Sequence, residues 1–124
     1  MRARFRRGQR LRTRAEFDRV FRRGRRLDGR LFQLVVVANG AEQDRIGLAV
    51  SRRVGPAVAR NRAKRLLRET FRQSERGSRP ALDIVVIAKP ELATEGLQEV
   101  RHEWQERLDR IGGVARRKGP AITG

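Results

Sequence analysis

The spacing of apolar residues predicts a first helix over residues 14–23. Thr13 and Glu16 have the spacing of a capping box, in which each side chain accepts a hydrogen bond from the other residue's backbone N–H. Gly24 follows as a residue that can end the helix. The apolar positions of this segment recur at helical spacing and share one face: Phe17, Val20 and Phe21.

Three runs of β-branched and apolar residues predict strands. Residues 31–38 form the first strand, and the dipeptide Asn39-Gly40 ends it. Residues 46–50 form the second strand, which we expect to pair antiparallel with the first across the short connection between them. Residues 82–89 form a third strand whose continuous apolar run indicates burial on both faces, and Pro90 closes it.

Two further helices complete the predicted order of elements. One begins at Gly55-Pro56 and runs to about Gln73, since proline is tolerated in a first helical turn, and the segment 77–80 breaks it. The order α-β-β-α-β-α, with room for one further edge strand, predicts an α+β fold, a small sandwich of sheet and helices. A final helix over residues 95–111 carries an apolar stripe: Leu97, Val100, Trp104, Leu108 and Ile111.

The chain has 124 residues, which suits one domain with one core. We expect a basic flexible arm over residues 1–12, a single domain over residues 13–111 and a basic, glycine-containing tail over residues 112–124. No cysteine is present, which excludes disulfides, thiolate metal sites and cysteine nucleophiles. No apolar run exceeds Leu34–Ala38 in length, so we expect a cytoplasmic protein without membrane contact.

Charge points to a polyanionic partner. The formal net charge is +17, and it is segregated, with +10 in residues 1–30 and +9 in residues 45–79. Arginine supplies most of the cations, and its planar guanidinium suits phosphates and stacks on bases. Because a surplus of this size repels itself, nucleic acid is the expected partner rather than a uniform solubilising coat.

A helical wheel of the central helix separates an apolar side from a basic side. The apolar side holds Ala59, Ala63, Leu66, Leu67 and Thr70. The opposite side holds Arg60, Asn61, Lys64, Arg65, Arg68 and Arg72. A solvated helix face usually mixes both signs of charge, whereas Glu69 is nearly the only acid here, which favours a phosphate-binding face over a merely solvated one.

Residues 45–69 resemble the bacterial ribonuclease P protein subunit. The resemblance rests on Arg60-Asn61-Arg62 followed by Lys64-Arg65-Leu66-Leu67-Arg68, and it extends over roughly residues 9–110. It implies a left-handed β-α-β crossover, against the right-handed default, in a fold similar to the second domain of a small-subunit ribosomal protein. The resemblance and the wheel predict these RNA-binding residues: Arg52, Arg53, Arg60, Asn61, Arg62, Lys64, Arg65, Arg68 and Arg72.

The same resemblance implies a subunit of an endoribonuclease that removes the 5′ leader from precursor tRNA. The RNA subunit would perform the chemistry with Mg²⁺, with no cofactor bound to the protein. The partners would be this catalytic RNA and the leader, with no membrane or DNA contact. The leader would lie between the sheet and the first helix, against Phe17, Phe21 and Phe32. Core packing is the alternative for each of these aromatic residues.

Other residues carry weaker expectations. Asn61 could orient an arginine, a nucleotide or a hydrated ion, or simply contact water. Trp104 lies on the apolar stripe of the last helix and is expected in the core, and His102 on its polar side is expected in solvent. Acidic residues concentrate in 83–109, away from the basic segments, so we expect no catalytic residue in the polypeptide. The alternative functions are a ribosomal-protein-like RNA-binding module and a basic DNA-binding protein.

Overall fold

The structure, a computed structural model, describes residues 9–74 and 79–116, with side chains as far as Ile111. Within these ranges it contains three α-helices and four β-strands, which confirms the predicted α+β class. In chain order the elements are α1 (Arg14–Arg23), β1 (Arg25–Asp28), β2 (Phe32–Ala38), β3 (Arg45–Ala49), a 3-10 turn (Arg52–Val54), α2 (Ala57–Gln73), β4 (Leu82–Ala88), a 3-10 turn (Pro90–Thr94) and α3 (Leu97–Arg116).

The strands form one sheet in the order β1-β2-β4-β3. β2 pairs antiparallel with both β1 and β4, and β3 pairs parallel with β4. The prediction that the second and third strands in the chain, now β2 and β3, pair with each other is therefore wrong. β4 lies between them because it is apolar on both faces and matches β2 in register along its whole length, from Phe32 opposite Ala88 to Ala38 opposite Leu82.

β1 is the additional edge strand for which the sequence leaves room. It buries a single side chain, Leu27, between exposed Arg26 and Asp28. One buried position gives no readable alternation, which explains why the pattern of apolar residues does not reveal this strand. The unit β3-α2-β4 joins two neighbouring parallel strands, as the resemblance implies, and the handedness of its crossover stays a prediction.

Apolar residues fill both faces of the sheet. The larger cluster lies on the face covered by α2 and α3, where Trp104 is 1% exposed, as expected, and its ring lies 6.2 Å from that of Phe32. The smaller cluster lies under α1 and is built around Val20, Val35 and Val85. Because successive strand residues face opposite sides, the runs in β2 and β4 supply both clusters.

The ends of α1 follow the sequence closely. Thr13 accepts a hydrogen bond from the backbone N–H of Glu16 at 3.1 Å, and Glu16 accepts one from the N–H of Thr13 at 3.0 Å, so the capping box is confirmed. Gly24 ends the helix, and a Cβ there would stand 2.5 Å from the carbonyl oxygen of Val20 and 2.7 Å from Val35 Cγ1. A side chain at position 24 would therefore push α1 away from the sheet.

The described structure extends past both predicted boundaries of the domain, residues 13 and 111. The N–H of Leu11 donates to the carbonyl of Ile46 at 2.9 Å, and Leu11 is buried, so the domain begins before residue 13. α3 continues to Arg116, five residues into the segment predicted as a tail. The arginines of the arm at positions 2–7, the helix-breaking residues 77 and 78 and the remainder of the tail lie outside the described residues.

Candidate nucleic-acid interface

The helix α2 has a buried face and a basic face, as the helical wheel predicts. Ala63, Leu67 and Thr70 are buried. Asn61 and Arg65 are exposed on the opposite side, and the remaining cations of that side are half-buried: Arg60, Lys64, Arg68 and Arg72. The two-faced helix is therefore present, while contact of its basic face with RNA remains a prediction.

A groove borders this basic face on each flank. The first has a volume of about 500 Å³ and lies between α1, β3 and α2; we name it the α1 groove, and it is lined by Arg10, Leu11, Arg12, Phe17, Ile46, Gly47, Leu48, Lys64 and Arg68. The second has a volume of about 520 Å³ and lies between α2 and the start of α3; we name it the α3 groove, and it is lined by Arg62, Arg65, Leu66, Arg68, Glu69, Arg72 and Leu97.

Phe17 supplies the aromatic surface of the α1 groove. It is half-buried, and its ring lies over Gly47, where a Cβ would stand 2.5 Å from Phe17 Cζ. Glycine at position 47 therefore makes room for the ring above β3. An aromatic face bordered by cations is the surface on which single-stranded nucleic acids stack their bases.

The other two predicted aromatic residues lie elsewhere. Phe21 is half-buried outside the lining of the α1 groove, and the guanidinium of Arg26 lies 5.6 Å from the centre of its ring. Phe32 is fully buried on the opposite face of the sheet, against Trp104, so the prediction that it contacts the leader is wrong. Side chains alternate between the two faces along β2, and Phe32 lies on the same face as Leu34 and Val36, toward α3.

Arg62 has protein partners that the basic pattern does not reveal. Its Nη1 donates to the carbonyl of Ala93 at 2.9 Å, and its Nη2 donates to the carbonyl of Glu95 at 2.6 Å. These bonds attach α2 to the turn that follows β4. Arg62 is thus a structural residue of the motif as well as a cation at the border of the basic face of α2.

Two other predicted RNA-binding arginines also bind within the protein. Arg60 Nη1 donates to the carbonyl of Gly55 at 3.4 Å, which holds the entry to α2. Arg72 Nε donates to Glu69 Oε1 at 3.1 Å, and this pairing raises the pKa of the Arg72 guanidinium above its ordinary value. Glu69 therefore positions a guanidinium rather than interrupting the basic surface at random.

The loop before α2 presents two exposed cations. Arg52 and Arg53 lie in the 3-10 turn, and the backbone N–H of Arg53 donates to Ser51 Oγ at 3.2 Å, so the turn is capped. This places both side chains in solvent at the amino-terminal end of α2. Their predicted contact with RNA phosphates is sterically open.

A charge network around the buried carboxylate of Asp83, which the sequence pattern did not reveal, positions α1 over the sheet. Asp83 is 1% exposed and accepts from Arg45 Nε at 2.8 Å and from Arg45 Nη2 at 2.7 Å. Arg19 of α1 lies 3.4 Å from the same carboxylate, and Glu16 of α1 lies 3.5 Å from Arg45. An acid inside an apolar strand was the available signal, because a buried carboxylate needs partners.

The pKa values of the two acids follow from these contacts. Burial alone would raise the pKa of Asp83, but hydrogen bonds from Arg45 and Asn39 and the charges of Arg45 and Arg19 hold it below its usual value. Backbone hydrogen bonds from Thr13 and Arg12, with the charge of Arg45, lower the pKa of Glu16. Both groups therefore stabilise the position of α1 in their ionised form.

We also searched the described residues for a metal site and for a membrane-spanning helix. Residues 9–74 and 79–116 hold no group of His, Asp and Glu side chains arranged as a metal site. None of the helices in these ranges is long and apolar enough to cross a bilayer. His102 is exposed, as expected, and its Nε2 lies 3.5 Å from Glu106 on the same helix.

Comparison of the sequence with protein families and named proteins gives a consistent result. The family described as Ribonuclease P matches residues 5–112. The ribonuclease P protein component of Shouchella clausii is 44% identical over 94 residues, covering 75% of this chain and 77% of that protein. The ribonuclease P protein component of Thermotoga maritima is 35% identical over 113 residues, covering 88% of this chain and 97% of that protein.

Solved structures give the same result for the fold. The RNase P protein from Thermotoga maritima superimposes with a TM-score of 0.73 at 33% identity, covering 82% of this chain and 96% of that one. The Staphylococcus aureus RNase P protein superimposes with a TM-score of 0.72 at 28% identity, covering 83% of this chain and 94% of that one.

Proposed function

This chain belongs to the ribonuclease P protein family, and from that premise we propose how its surfaces divide the work of RNA binding. As the protein subunit of an endoribonuclease, it has the RNA subunit as its partner. The proposal is that the basic face of α2 binds the RNA subunit and that the α1 groove holds the single-stranded 5′ leader of precursor tRNA.

The proposal rests on the combination of Phe17 and cations in the α1 groove. The Phe17 ring is half-buried above Gly47, and Arg10, Arg12, Lys64 and Arg68 also line the groove. A single strand needs a stacking surface for its bases and positive charge along its backbone, and this groove supplies both. The network of Asp83, Arg45 and Arg19 holds α1, and therefore Phe17, at a fixed height above β3.

Leader binding gives the enzyme a means of distinguishing substrate from product. Precursor and mature tRNA share the tRNA body, so contacts to the body favour both equally. Contacts to the leader add binding free energy to the precursor complex alone. The groove therefore raises the affinity for substrate without slowing the release of mature tRNA.

Mg²⁺ enters this proposal through the RNA subunit. The catalytic RNA would bind the ions that activate water and stabilise the leaving oxygen, as metal ions do in phosphodiester cleavage. The protein's contribution is positive charge beside the phosphates, which lowers their mutual repulsion. We place the protein in the cytoplasm, where its RNA partner and substrate would be made.

A binding experiment with matched tRNAs tests the proposal. Precursor tRNA and mature tRNA are titrated against the RNA subunit, with and without this protein, in Ca²⁺ to suppress cleavage. We expect the protein to raise the affinity for precursor at least tenfold more than the affinity for mature tRNA. Equal gains for both tRNAs would overturn leader binding, and no gain for either would overturn the assignment of RNA binding to this chain.

A further inference from the structure

The α3 groove differs from a surface that binds phosphates alone. Leu66 and Leu97 form an apolar floor, although arginines surround it. Both leucines are half-buried rather than enclosed in the core. Phosphate binding requires donors and charge, and it draws no benefit from an apolar concavity.

Two guanidiniums beside this floor are held in place by the protein. Arg62 donates to the carbonyls of Ala93 and Glu95 at 2.9 Å and 2.6 Å, and Arg72 donates to Glu69 Oε1 at 3.1 Å. A fixed planar guanidinium stacks on a nucleobase, and its fixed position lowers the entropy cost of binding. The groove thus has two preformed guanidinium surfaces for stacking beside its apolar floor.

The size and charge of the groove limit what it accepts. Its volume, about 520 Å³, lies within the range of about 300–1,000 Å³ typical of small-ligand sites, so a single base fills it better than the regular surface of a duplex does. Four arginines line the groove, and so does Glu69, which is already paired with Arg72. The ligand must therefore have an apolar group that fits on the floor and negative charges on either side of it. An unpaired nucleotide in a folded RNA combines these properties, because its base is splayed out between two phosphates.

We propose that the α3 groove binds one unpaired base of the RNA subunit. The base lies on Leu66 and Leu97 beside the guanidiniums of Arg62 and Arg72, while Arg65 and Arg68 contact the flanking phosphates. This inference rests on the proposed function, in which the basic face of α2 binds the RNA subunit. It adds recognition of an unpaired position to what would otherwise be charge attraction alone.

A substitution that adds a positive charge and removes part of the apolar floor distinguishes binding of a base from binding of phosphates alone. Leu97→Lys should weaken binding of the RNA subunit about tenfold if a base lies on Leu97, since stacked bases contribute strongly to affinity. A surface that binds phosphates alone would instead bind more tightly, because it gains a cation. Gln98→Lys is the matched control: the residue is exposed, adjacent on α3 and outside the groove, and its affinity should stay equal or rise.

Chemical probing supplies a second measurement on the same complexes. Dimethyl sulfate and a carbodiimide together report on all four bases of the RNA subunit. We expect at least one unpaired base to be protected by the unmodified protein and by Gln98→Lys, and to become reactive with Leu97→Lys. Backbone protection from hydroxyl radicals should persist in all three complexes. Leu97→Gln, which adds no charge, should make the same base reactive. It replaces Leu97→Lys in the experiment if the lysine variant has a lowered thermal stability.

Two results would overturn the inference. Affinity that rises in Leu97→Lys as it does in Gln98→Lys would show binding of phosphates alone. Base reactivities identical among all variants would show that no base occupies the groove. Failure of the proposed function looks different, because Arg65→Ala with Arg68→Ala would then leave the affinity for the RNA subunit unchanged.

Discussion

Single residues set the geometry of the α1 groove, and Phe17 with Gly47 shows how. Because the ring occupies the space that a Cβ at position 47 would need, any side chain there must displace Phe17 or tilt α1. The backbone of β3 and the aromatic side chain of α1 are thus matched as a pair. Phe17 lines the groove in this position and is half-buried there.

Removal of the Phe17 ring should weaken leader recognition selectively. Phe17→Ala should lower the affinity of the holoenzyme for precursor tRNA by roughly 5- to 150-fold, the effect of losing about 1–3 kcal/mol of base stacking, and leave mature tRNA binding unchanged. Equilibrium titration of both tRNAs measures the difference. Phe21→Ala is the control, since that ring lies outside the groove lining, and a larger effect there would contradict the assignment.

Asp83 should make stability depend on pH in a defined direction. Its pKa is lowered in the folded protein, so its ionised form contributes stability above the unfolded-state value of about 3.9, and this stability is lost as pH falls through the folded-state value. Asp83→Asn should lower the free energy of unfolding by roughly 3 kcal/mol at pH 7. Denaturant unfolding should show this gap narrowing below about pH 3.9, whereas the exposed control Asp18→Asn should change little.

At the scale of elements, α2 contributes both to the core and to the surface that we propose binds RNA. Its buried face closes the larger core, one flank borders the α1 groove, and the other borders the α3 groove. Arg68 lines both grooves. A helix with one core face can serve two RNA segments because its remaining surface spans more than half of its circumference.

Arg65 and Arg68, on the basic face of α2, should contribute affinity without contributing stability. Arg65→Ala with Arg68→Ala should weaken binding of the RNA subunit and reduce the slope of log affinity against log salt by about 1 for each phosphate that the protein no longer neutralises. Thermal unfolding should change little, since surface substitutions usually stay within about 0.5 kcal/mol. Arg101→Ala with Arg110→Ala removes the same charge from exposed positions on α3 and should leave the slope nearly unchanged.

Arg62 should behave in the opposite way to Arg65. Arg62→Ala removes the two hydrogen bonds that attach α2 to the residues after β4, and it should lower the free energy of unfolding by roughly 2 kcal/mol. Arg65→Ala, three residues along the same helix, is the matched control for stability. Denaturant unfolding of both variants measures the difference, and equal stabilities would show that the carbonyl hydrogen bonds contribute little.

For the whole molecule, charge and topology act together. β1 and β3 are the edges of the sheet, and α2 leaves β3 to cross one face before the chain returns as β4. The basic residues of α2 therefore stand beside the groove that α1 forms on the other face, at the β3 edge. One side of the protein therefore carries the positive charge that we propose contacts both the RNA subunit and its substrate.

This concentration of charge should lower the Mg²⁺ requirement of the RNA subunit. Cleavage of precursor tRNA by the RNA subunit with this protein should reach half its maximal rate at a several-fold lower Mg²⁺ concentration than cleavage by the RNA alone. Arg65→Ala with Arg68→Ala should shift the midpoint back toward that of the RNA alone. Specific cleavage by the protein without RNA would contradict the assignment of the chemistry to the RNA subunit.

The sequence by itself determined the three helices, their faces and three of the four strands of the described residues. The capping box at Thr13, the apolar stripe of α3 and the two-sided α2 are local patterns, and each is present in the structure as predicted. They are readable because helical periodicity, capping and turn preferences act between residues close in the chain. The motif around Asn61 is also local, and it indicated the family through its resemblance to a known sequence pattern.

Tertiary structure alone decided which elements meet. β4 lies between β2 and β3, Phe32 faces the core rather than the α1 groove, and Arg62 is held by backbone carbonyls that follow β4. Each result depends on partners more than twenty residues away in the chain, where competing pairings have similar local patterns. The full set of buried hydrogen bonds and packed side chains chooses among them, so the grooves beside α2 exist only once the sheet has formed.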